Sequence, residues 1–309
     1  MFGFEVKSVN ISVKKGTIKE PVESIELNDR GIFEDAHAGK WHRQVSLLAE
    51  ESIKKAEKIA KTSFPYGVFA ENITTLGLDL KETNIMDRFV NDSVELEVTQ
   101  IGKTCHSACA IGQAIGDCIM PKEGIFARVR KVGNVKAGDN FIYIPKIFRV
   151  AVITLSDRAS AGEYKDLSGP AVSDLSKKWF KQNRLKYEVD QIVIPDEKDI
   201  FKKTLEDLFE KQYDIVYTTG STGIGERDIA PEVIRPMIEK ELPGIMDFIR
   251  MKYGEKHPNA LLSRATAGVK NKTLIFSMPG SPKAVAEYME EIHKILFHAI
   301  LMLHGINKH

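Results

Sequence analysis

The residues best suited to chemistry lie in one segment, YTTGSTGIGERDIAPE (217–232), in which a short apolar strand leads into a loop of small residues. Its glycines let the main chain approach an anion closely, and Ser221 and Thr222 add hydroxyl donors. No Gly-Lys-Ser/Thr follows, as a Walker loop requires, and the Gly-x-x-Gly-x-Gly spacing is not a dinucleotide fingerprint. Two alternatives therefore remain: a phosphate-binding loop, or a surface turn that binds nothing.

Aspartates follow several of the predicted strands in this half of the chain. A carboxylate beside a phosphate loop is repelled unless a cation lies between them, so Asp228 is predicted to bind Mg²⁺. Asp196 is a candidate partner, although a helix cap is the commoner role for an aspartate before a helix. Asp157 and Asp166 have the same two alternatives.

The three cysteines lie between residues 105 and 118. With His106 they could bind zinc, but their spacing lacks the usual Cys-x₂-Cys pairs. For Cys109 and Cys118 we favour small buried apolar side chains. Lys103 and His106 flank Cys105, and because such neighbours favour a thiolate, Cys105 is predicted to be reactive.

Two patterns of apolar residues divide the chain. Up to about residue 145 the apolar runs are short and alternating, which indicates a mostly β, barrel-like domain with one helix at 48–61. From about residue 148, apolar strands alternate with helices, which indicates a mostly parallel sheet covered on both faces. We therefore expect two domains, 1–145 and 148–309, joined by a short link at 144–148. The predicted strands of the second are 149–156, 187–194, 214–219 and 273–278, and its predicted helices are 169–183, 198–211, 231–240, 243–256 and 281–303.

Composition limits the function classes. Lys and Arg number 44 against 43 Asp and Glu, a formal charge of +1, so no overall field attracts nucleic acid or a membrane surface. An odd number of cysteines, no signal-peptide pattern and no apolar helix of membrane-spanning length favour the cytoplasm.

Five segments of the C-terminal half resemble, in this order, the molybdopterin adenylyltransferase family: TLSDRASAGEYKDLSGP (154–170), IPDE (194–197), TTGSTGIGERDIAPE (218–232), LSR (262–264) and MPGSPKA (278–284). The resemblance implies an α/β/α sandwich, usually a trimer. It implies that the terminal phosphate of molybdopterin attacks the α-phosphate of Mg-ATP and releases pyrophosphate.

The same resemblance assigns residues to roles. It implies that Asp196 and Asp228 act through Mg²⁺ and that Ser263 helps to hold the pterin or its phosphate. The other substrate-binding residues that it implies are Asp157, Ser168, Gly169, Thr219, Gly220, Ser221, Thr222, Gly223, Pro279 and Gly280. The family commonly has Thr-Thr-Gly-Gly-Thr-Gly, and here Ser221 replaces the second glycine. If that position requires a positive φ, serine costs about 1 kcal/mol there.

The N-terminal half resembles the MOSC domain family over most of residues 4–144, on the segments 31–52, 102–126 and 137–139. The name refers to the C-terminal domain of molybdenum cofactor sulfurase. The resemblance implies that Cys105 carries sulfur as a persulfide or binds the molybdenum cofactor. It also implies an anion site at His37, His42 and Arg43, to which Arg128 and Arg130 could contribute, and it suggests pyridoxal phosphate binding.

The two resemblances together predict a fusion enzyme of molybdenum cofactor biosynthesis. One domain would adenylylate molybdopterin, and the other would bind, sulfurate or transfer the product, with other proteins of that synthesis as possible partners. A first alternative is a pterin-binding scaffold or carrier without catalysis, which only Ser221 supports. A second is a reductase-like molybdenum module in the N-terminal half.

Overall fold

The computed structural model describes residues 2–103 and 118–306. Within it the chain forms two compact units, Met1–Lys146 and Ile147–His309, whose boundary lies in the predicted link. The predictions for Cys105, His106 and Cys109 fall outside the described residues. No helix in the described parts of the chain is both long and apolar enough to cross a membrane.

The first unit is built on a closed barrel of seven strands. Around the barrel the order is β1-β11-β7-β8-β9-β5-β6, and β1 closes the circle by pairing with both β11 and β6. The barrel-like fold predicted for this half is thereby confirmed. Its strands and helices are β1 (Gly3–Ile11), β2 (Glu20–Val22), β3 (Ser24–Asn28), β4 (Gly31–Ile32), β5 (Val45–Ala49), α1 (Glu50–Ala60), β6 (Ile73–Leu76), a 3₁₀ turn (Leu80–Glu82), β7 (Arg88–Val90), β8 (Glu95–Ile101), α2 (Met120–Glu123), β9 (Ile125–Lys131), β10 (Gly133–Lys136) and β11 (Asn140–Ile144).

Alternation of side chains fills the barrel. Along β1, Phe4 and Val6 are buried while Gly3, Glu5 and Lys7 are partly exposed, as expected for a strand with one face inward. Phe4 stacks on Phe141 with ring centroids 5.1 Å apart and meets Phe89 edge-on at 5.0 Å. The helix predicted at 48–61 is α1, except that its first two residues belong to β5.

The second unit contains a six-stranded sheet in the order β13-β12-β14-β17-β16-β15. The first four strands are parallel, and β16 and β15 are antiparallel to their neighbours. Its elements are β12 (Ile147–Leu155), α3 (Asp157–Ser160), α4 (Ser168–Gln182), β13 (Lys186–Ile194), α5 (Lys198–Glu210), β14 (Ile215–Thr219), α6 (Ala230–Ile234), β15 (Lys240–Glu241), α7 (Pro243–Gly254), a 3₁₀ turn (Pro258–Leu262), β16 (Ala267–Lys270), β17 (Thr273–Met278) and α8 (Pro282–Leu303).

Helices cover both faces of this sheet. On one face Ile153 and Val216 pack in a buried cluster with Phe201 of α5 and Ile234 of α6. On the other, α4 and α8 pack together, and Phe180 of α4 meets a phenylalanine of β12 with ring centroids 5.6 Å apart. The sandwich predicted by resemblance is therefore present.

One predicted helix is too long. The segment 231–240 was expected to be helical, but α6 ends at Ile234. Arg235 still has helical dihedral angles, but Pro236 follows it and lacks the N–H that would continue the hydrogen-bond ladder of the helix. The chain then turns into β15, which pairs with β16.

The parallel strands bring their loops to one edge of the sheet. Thr154, Thr219 and Met278 are paired across β12, β14 and β17 at or beside the carboxyl ends of these strands. The loops that follow therefore emerge side by side, where open α/β sheets bind their ligands.

Candidate active site

The glycine-rich loop begins with two consecutive residues in left-handed conformation, Gly220 at φ 97° and Ser221 at φ 56°. Gly220 donates its N–H to the carbonyl of Met278 at 3.0 Å, and an added Cβ would overlap the carbonyl oxygen of Leu155. The preceding Thr219 is buried and donates its hydroxyl to the carbonyl of Pro279 at 2.9 Å. The start of the loop is thus fixed between two neighbouring strands, and position 220 admits only glycine.

Ser221 does occupy a position that favours glycine, as its departure from the family pattern suggested. The cost of a serine at positive φ is about 1 kcal/mol. Its hydroxyl donates to the carbonyl of Arg227 at 2.9 Å and accepts the N–H of Ile229 at 2.8 Å. Each such bond contributes about 1 kcal/mol, so together they offset the backbone strain.

The other two glycines of the loop surround the Asp228 carboxylate. Gly225 donates its N–H to Oδ2 of Asp228 at 2.7 Å. A Cβ on Gly223 would lie 2.7 Å from the same oxygen, closer than a side chain tolerates. These glycines have ordinary φ values, so they make room for a carboxylate rather than for an unusual turn.

Arg264 supports the loop from outside. Its guanidinium donates to the carbonyls of Gly223 at 2.6 Å and Asp228 at 2.8 Å, and it also pairs with the carboxylate of Glu232. Its main-chain N–H bonds the carbonyl of Thr222 at 2.8 Å. The family resemblance includes the Leu-Ser-Arg segment but assigns a role only to its serine.

Asp157 and Asp196 bind each other's main chain across two loops. The N–H of Asp157 donates to Oδ2 of Asp196 at 3.1 Å, and the N–H of Asp196 donates to Oδ1 of Asp157 at 2.9 Å. Arg227 then pairs with both oxygens of Asp157, at 2.6 Å and 3.0 Å. The helix-cap alternative for Asp196 is wrong, because α5 begins after Glu197 without a side-chain cap.

The two carboxyls titrate differently. Burial raises the pKa of Asp196, although the hydrogen bond from the Asp157 main chain opposes the effect. The Arg227 hydrogen bond lowers the pKa of Asp157, with a smaller contribution from the Asp196 main chain.

Asp166 takes the capping role that was one of its alternatives. Its Oδ1 accepts the N–H groups of Ser168 at 2.9 Å and Gly169 at 3.1 Å, and its Oδ2 accepts the hydroxyl of Thr154 at 2.7 Å. A Cβ on Gly169 would overlap both Asp166 and Thr154. Ser168 and Gly169 are thereby placed at the start of α4, and their binding role stays a prediction.

A cavity of about 500 Å³ opens beside the loop. Predicted site residues line one side of it: Gly220, Ser221, Thr222, Gly223, Asp228, Ser263, Pro279 and Gly280. Of the described residues, Asp157, Ser168, Gly169, Asp196 and Thr219 are not among those that line it. A second cavity, of about 350 Å³, is lined by Lys198, Gly225, Glu226 and Arg264 among others, and Asp228 lines both.

The larger cavity also contains polar residues that sequence reasoning missed. Lys283 and His257 lie together, with Nζ and Nε2 2.6 Å apart. Tyr288 contacts the Ser263 hydroxyl at 3.1 Å, and burial raises the pKa of this tyrosine. Lys283 lies in the quoted segment MPGSPKA, whereas no motif marked His257 or Tyr288.

In the first unit, a cavity of about 220 Å³ brings together some of the residues predicted to bind an anion. His37 and Arg43 line it, together with Lys103, which was predicted only as a neighbour of Cys105. The Arg43 guanidinium lies over the Trp41 ring at 4.7 Å, and its buried Nε has no hydrogen-bond partner among the described residues.

The remaining basic candidates do not share that position. His42 is not among the described residues that line the cavity, and burial, with Arg43 and Arg128 nearby, lowers its pKa. Arg128 and Arg130 pair with Glu97 at 2.6 Å and 3.3 Å.

A buried ion pair lies next to His37. Lys19 and Asp35 are each 1% exposed and directly bonded. Burial alone would raise the pKa of Asp35, but hydrogen bonds from His37 and Lys19 outweigh it and hold this pKa well below its usual range. Asn72, which lines the cavity, donates to the same carboxylate at 3.1 Å.

Cys118 is partly buried and packs against a cluster that includes Ile53, Phe69 and Met120. This agrees in kind with the apolar role predicted for it. Among residues 2–103 and 118–306 no group of three or more His, Cys, Asp or Glu side chains could hold a metal ion.

Comparison with known proteins identifies both halves. Residues 151–298 match the model of a probable molybdopterin binding domain, and residues 34–141 match the MOSC domain. A molybdopterin adenylyltransferase from Helicobacter pylori is 36% identical over 157 residues, which are 50% of this chain and 88% of that protein. One from Pyrococcus furiosus is 37% identical over 50% of this chain and 91% of that protein, and one from Escherichia coli is 32% identical over 51% and 79%.

The fold and the site thus define a molybdopterin-binding domain joined to a MOSC domain. The chain belongs to the molybdopterin adenylyltransferase family, an enzyme family of molybdenum cofactor biosynthesis.

Proposed function

We propose that this chain transfers the adenylyl group of ATP to the terminal phosphate of molybdopterin and releases pyrophosphate. The observation that carries the proposal is the position of Asp228, whose carboxylate is fixed in the glycine loop and lines two cavities at once. A reaction that joins two phosphorylated substrates needs such a shared point between two binding sites. The E. coli and P. furiosus relatives bear the name of this reaction.

Asp228 and Asp196 are the residues that would hold Mg²⁺. Oδ2 of Asp228 already accepts the Gly225 N–H, which leaves Oδ1 for a cation. Mg²⁺ commonly binds through one or two carboxylates, with substrate phosphates and water as its other ligands, so a site with few protein carboxylates fits it. The ion would neutralise phosphate charge as the new bond forms.

The other polar residues would position the substrates. Lys283 offers positive charge and His257 a hydrogen-bonding ring to a phosphate, and Ser263, bonded by Tyr288, offers a hydroxyl in the same cavity. Catalysis of phosphoryl-type transfer depends mainly on such positioning and on charge stabilisation.

Asp228→Asn tests the proposal. The amide keeps the shape of the side chain and can still accept the Gly225 N–H, but it removes the charge that would bind the cation. We expect the yield of adenylylated pterin from molybdopterin, ATP and Mg²⁺ to fall by about 100-fold or more. Asp199→Asn, on the exposed side of α5, is the matched control and should leave the yield unchanged. Equal yields from the wild type and Asp228→Asn would contradict the proposal.

The alternative function is a scaffold that binds the pterin without transferring the nucleotide. Ser221 was its sequence support, and the hydrogen bonds that compensate for the backbone strain of this residue weaken that support. A scaffold would bind molybdopterin equally well with and without Mg-ATP and would release no pyrophosphate.

For the N-terminal half we propose a site for the phosphate of the pterin cofactor. Arg43 supports it, because a buried guanidinium nitrogen without a partner favours an anionic ligand in the adjoining cavity. His37 and Lys103 line the same cavity. The sulfur-carrying role of Cys105 stays a prediction from the MOSC resemblance.

A further inference from the structure

The single hydroxyl of Ser221 bonds the main chain on both sides of Asp228. It donates to the carbonyl of Arg227, the residue before Asp228, at 2.9 Å. It accepts the N–H of Ile229, the residue after Asp228, at 2.8 Å. The carbonyl of Ser221 adds a third bond by accepting the N–H of Ala230 at 3.0 Å. The chain from 227 to 230 is thereby tied to the start of the loop.

The segment is otherwise held by the two hydrogen bonds between Gly225 and Asp228, at 2.7 Å and 3.0 Å, and by Arg264 from outside the loop. Residues 224 to 227 are exposed, and glycines stand at 220, 223 and 225. A glycine at 221 would relieve the left-handed conformation of this residue, but it would remove both hydroxyl bonds and add a fourth flexible position. Ser221 is therefore strained in its own backbone conformation, while its hydroxyl bonds restrain the main chain on both sides of Asp228.

We propose that Ser221 is a positioning residue: its hydroxyl fixes the peptide groups on either side of Asp228 and so directs that carboxylate between the two cavities. The inference rests on the proposed adenylyl transfer for its consequence in catalysis. It makes the departure from the family's glycine an adaptation within an active loop rather than a sign of lost activity.

Two substitutions in the full chain separate the hydroxyl from the backbone strain. Ser221→Ala keeps a side chain at positive φ and loses the hydroxyl, whereas Ser221→Gly loses both. We expect kcat for adenylyl transfer to fall by about tenfold or more in both variants, with KM for ATP changed by less than about twofold, because misplaced catalytic groups affect turnover more than binding. The melting temperature should separate them, with Ser221→Ala below Ser221→Gly.

Amide hydrogen exchange without substrates gives a second measurement. The Ile229 N–H is bonded to the Ser221 hydroxyl, so its exchange should accelerate by about tenfold or more in both variants. The amide of Val216, in the buried centre of β14, is the internal control and should exchange at the wild-type rate.

The outcomes distinguish the inference from the proposed function. Wild-type kcat in Ser221→Gly would overturn the positioning role, because turnover would then not need the hydroxyl. If kcat fell in Ser221→Ala alone, the backbone strain at position 221 would be the cause, and the positioning role would also be overturned. Unchanged exchange at Ile229 in both variants would overturn it as well. If the wild-type protein itself made no adenylylated pterin, the proposed function would fail, while the exchange experiment would still decide whether the hydroxyl holds the loop.

Discussion

Gly169 and Gly223 leave room for neighbouring carboxylates that a larger side chain would overlap. Neither has a positive φ, yet a Cβ on Gly223 would lie 2.7 Å from Asp228, and one on Gly169 would overlap Asp166. Sequence spacing predicted a loop that admits close approach and an acidic residue beside it. It could not predict which atom approaches, because the partner of Gly169 includes Thr154, which only the fold brings near.

Gly169→Ala is expected to destabilise the second unit. The added Cβ would overlap the carboxylate and the threonine hydroxyl that cap α4, and overpacking of this kind costs about 1–3 kcal/mol. Gly244→Ala is the matched control, because nothing lies within 4 Å of its added Cβ and alanine favours a helix. Thermal melting should show a fall for the first variant and none for the second. Equal melting temperatures would mean that the cap tolerates a methyl group.

Among the strands and helices, the strands of the second unit that are long enough to show a pattern of apolar residues were predicted correctly. The parallel strands predicted at 149–156, 187–194, 214–219 and 273–278 agree with β12, β13, β14 and β17 to within one or two residues. Strands β12, β14 and β17 are largely buried and carry continuous apolar runs, whereas the edge strand β13 is mostly exposed and was found from its alternating apolar residues. The short β16 was missed because Ala267–Lys270 has too few residues to show a period. In the first unit β6 begins only at Ile73, because the chain before it forms a turn in which the Glu71 carboxylate accepts the N–H of Gly67 at 2.6 Å.

The packing of α4 on α8 predicts a dependence of stability on pH. His293 of α8 stacks on Trp179 of α4 with ring centroids 5.6 Å apart, and burial lowers its pKa to about 4. The folded state therefore holds it neutral. Its contribution to stability is fully present above the unfolded pKa of about 6.5 and is lost as the pH falls from there to about 4, a change of about 3 kcal/mol.

Denaturant unfolding at pH 7 and pH 4.5 measures this change. His293→Phe removes the titrating group and should flatten the part of the pH profile that His293 causes. His298→Phe, also on α8, is the control for replacing a histidine of that helix. If His293→Phe kept the full loss of stability at low pH, other groups would be responsible.

At the scale of the whole molecule, two units with separate cores match two different families, a probable molybdopterin binding domain and a MOSC domain. The resemblances predicted this division, because each depends on short motifs within one half of the chain. The 220 Å³ cavity could not be predicted from spacing, since its wall joins residues from 37 to 126 through the closure of the barrel. The trimer expected from the family stays a prediction.

Arg43→Met tests whether the two sites act separately. Methionine keeps an apolar stem beside Trp41 and removes the guanidinium. We expect the number of molybdopterin molecules bound per chain to fall, while the rate of ATP-dependent adenylyl transfer stays within about twofold of the wild type, because the transfer site lies in the other unit. Equilibrium binding and a pyrophosphate-release assay measure the two quantities. Arg30→Met, at an exposed position of the same unit, is the control. Undiminished pterin binding in Arg43→Met would exclude this cavity as a pterin site.

The carboxylate of Asp228, as a wall common to two cavities, has a thermodynamic consequence. Anions bound in the two cavities would each adjoin this one carboxylate and repel each other, so occupancy of one would lower the affinity of the other, and a bridging cation would turn mutual repulsion into mutual assistance. Such coupling is reciprocal: the factor by which nucleotide alters pterin affinity equals the factor by which pterin alters nucleotide affinity. The sign of that single coupling energy, measured with and without Mg²⁺, would report the charge held between the two ligands.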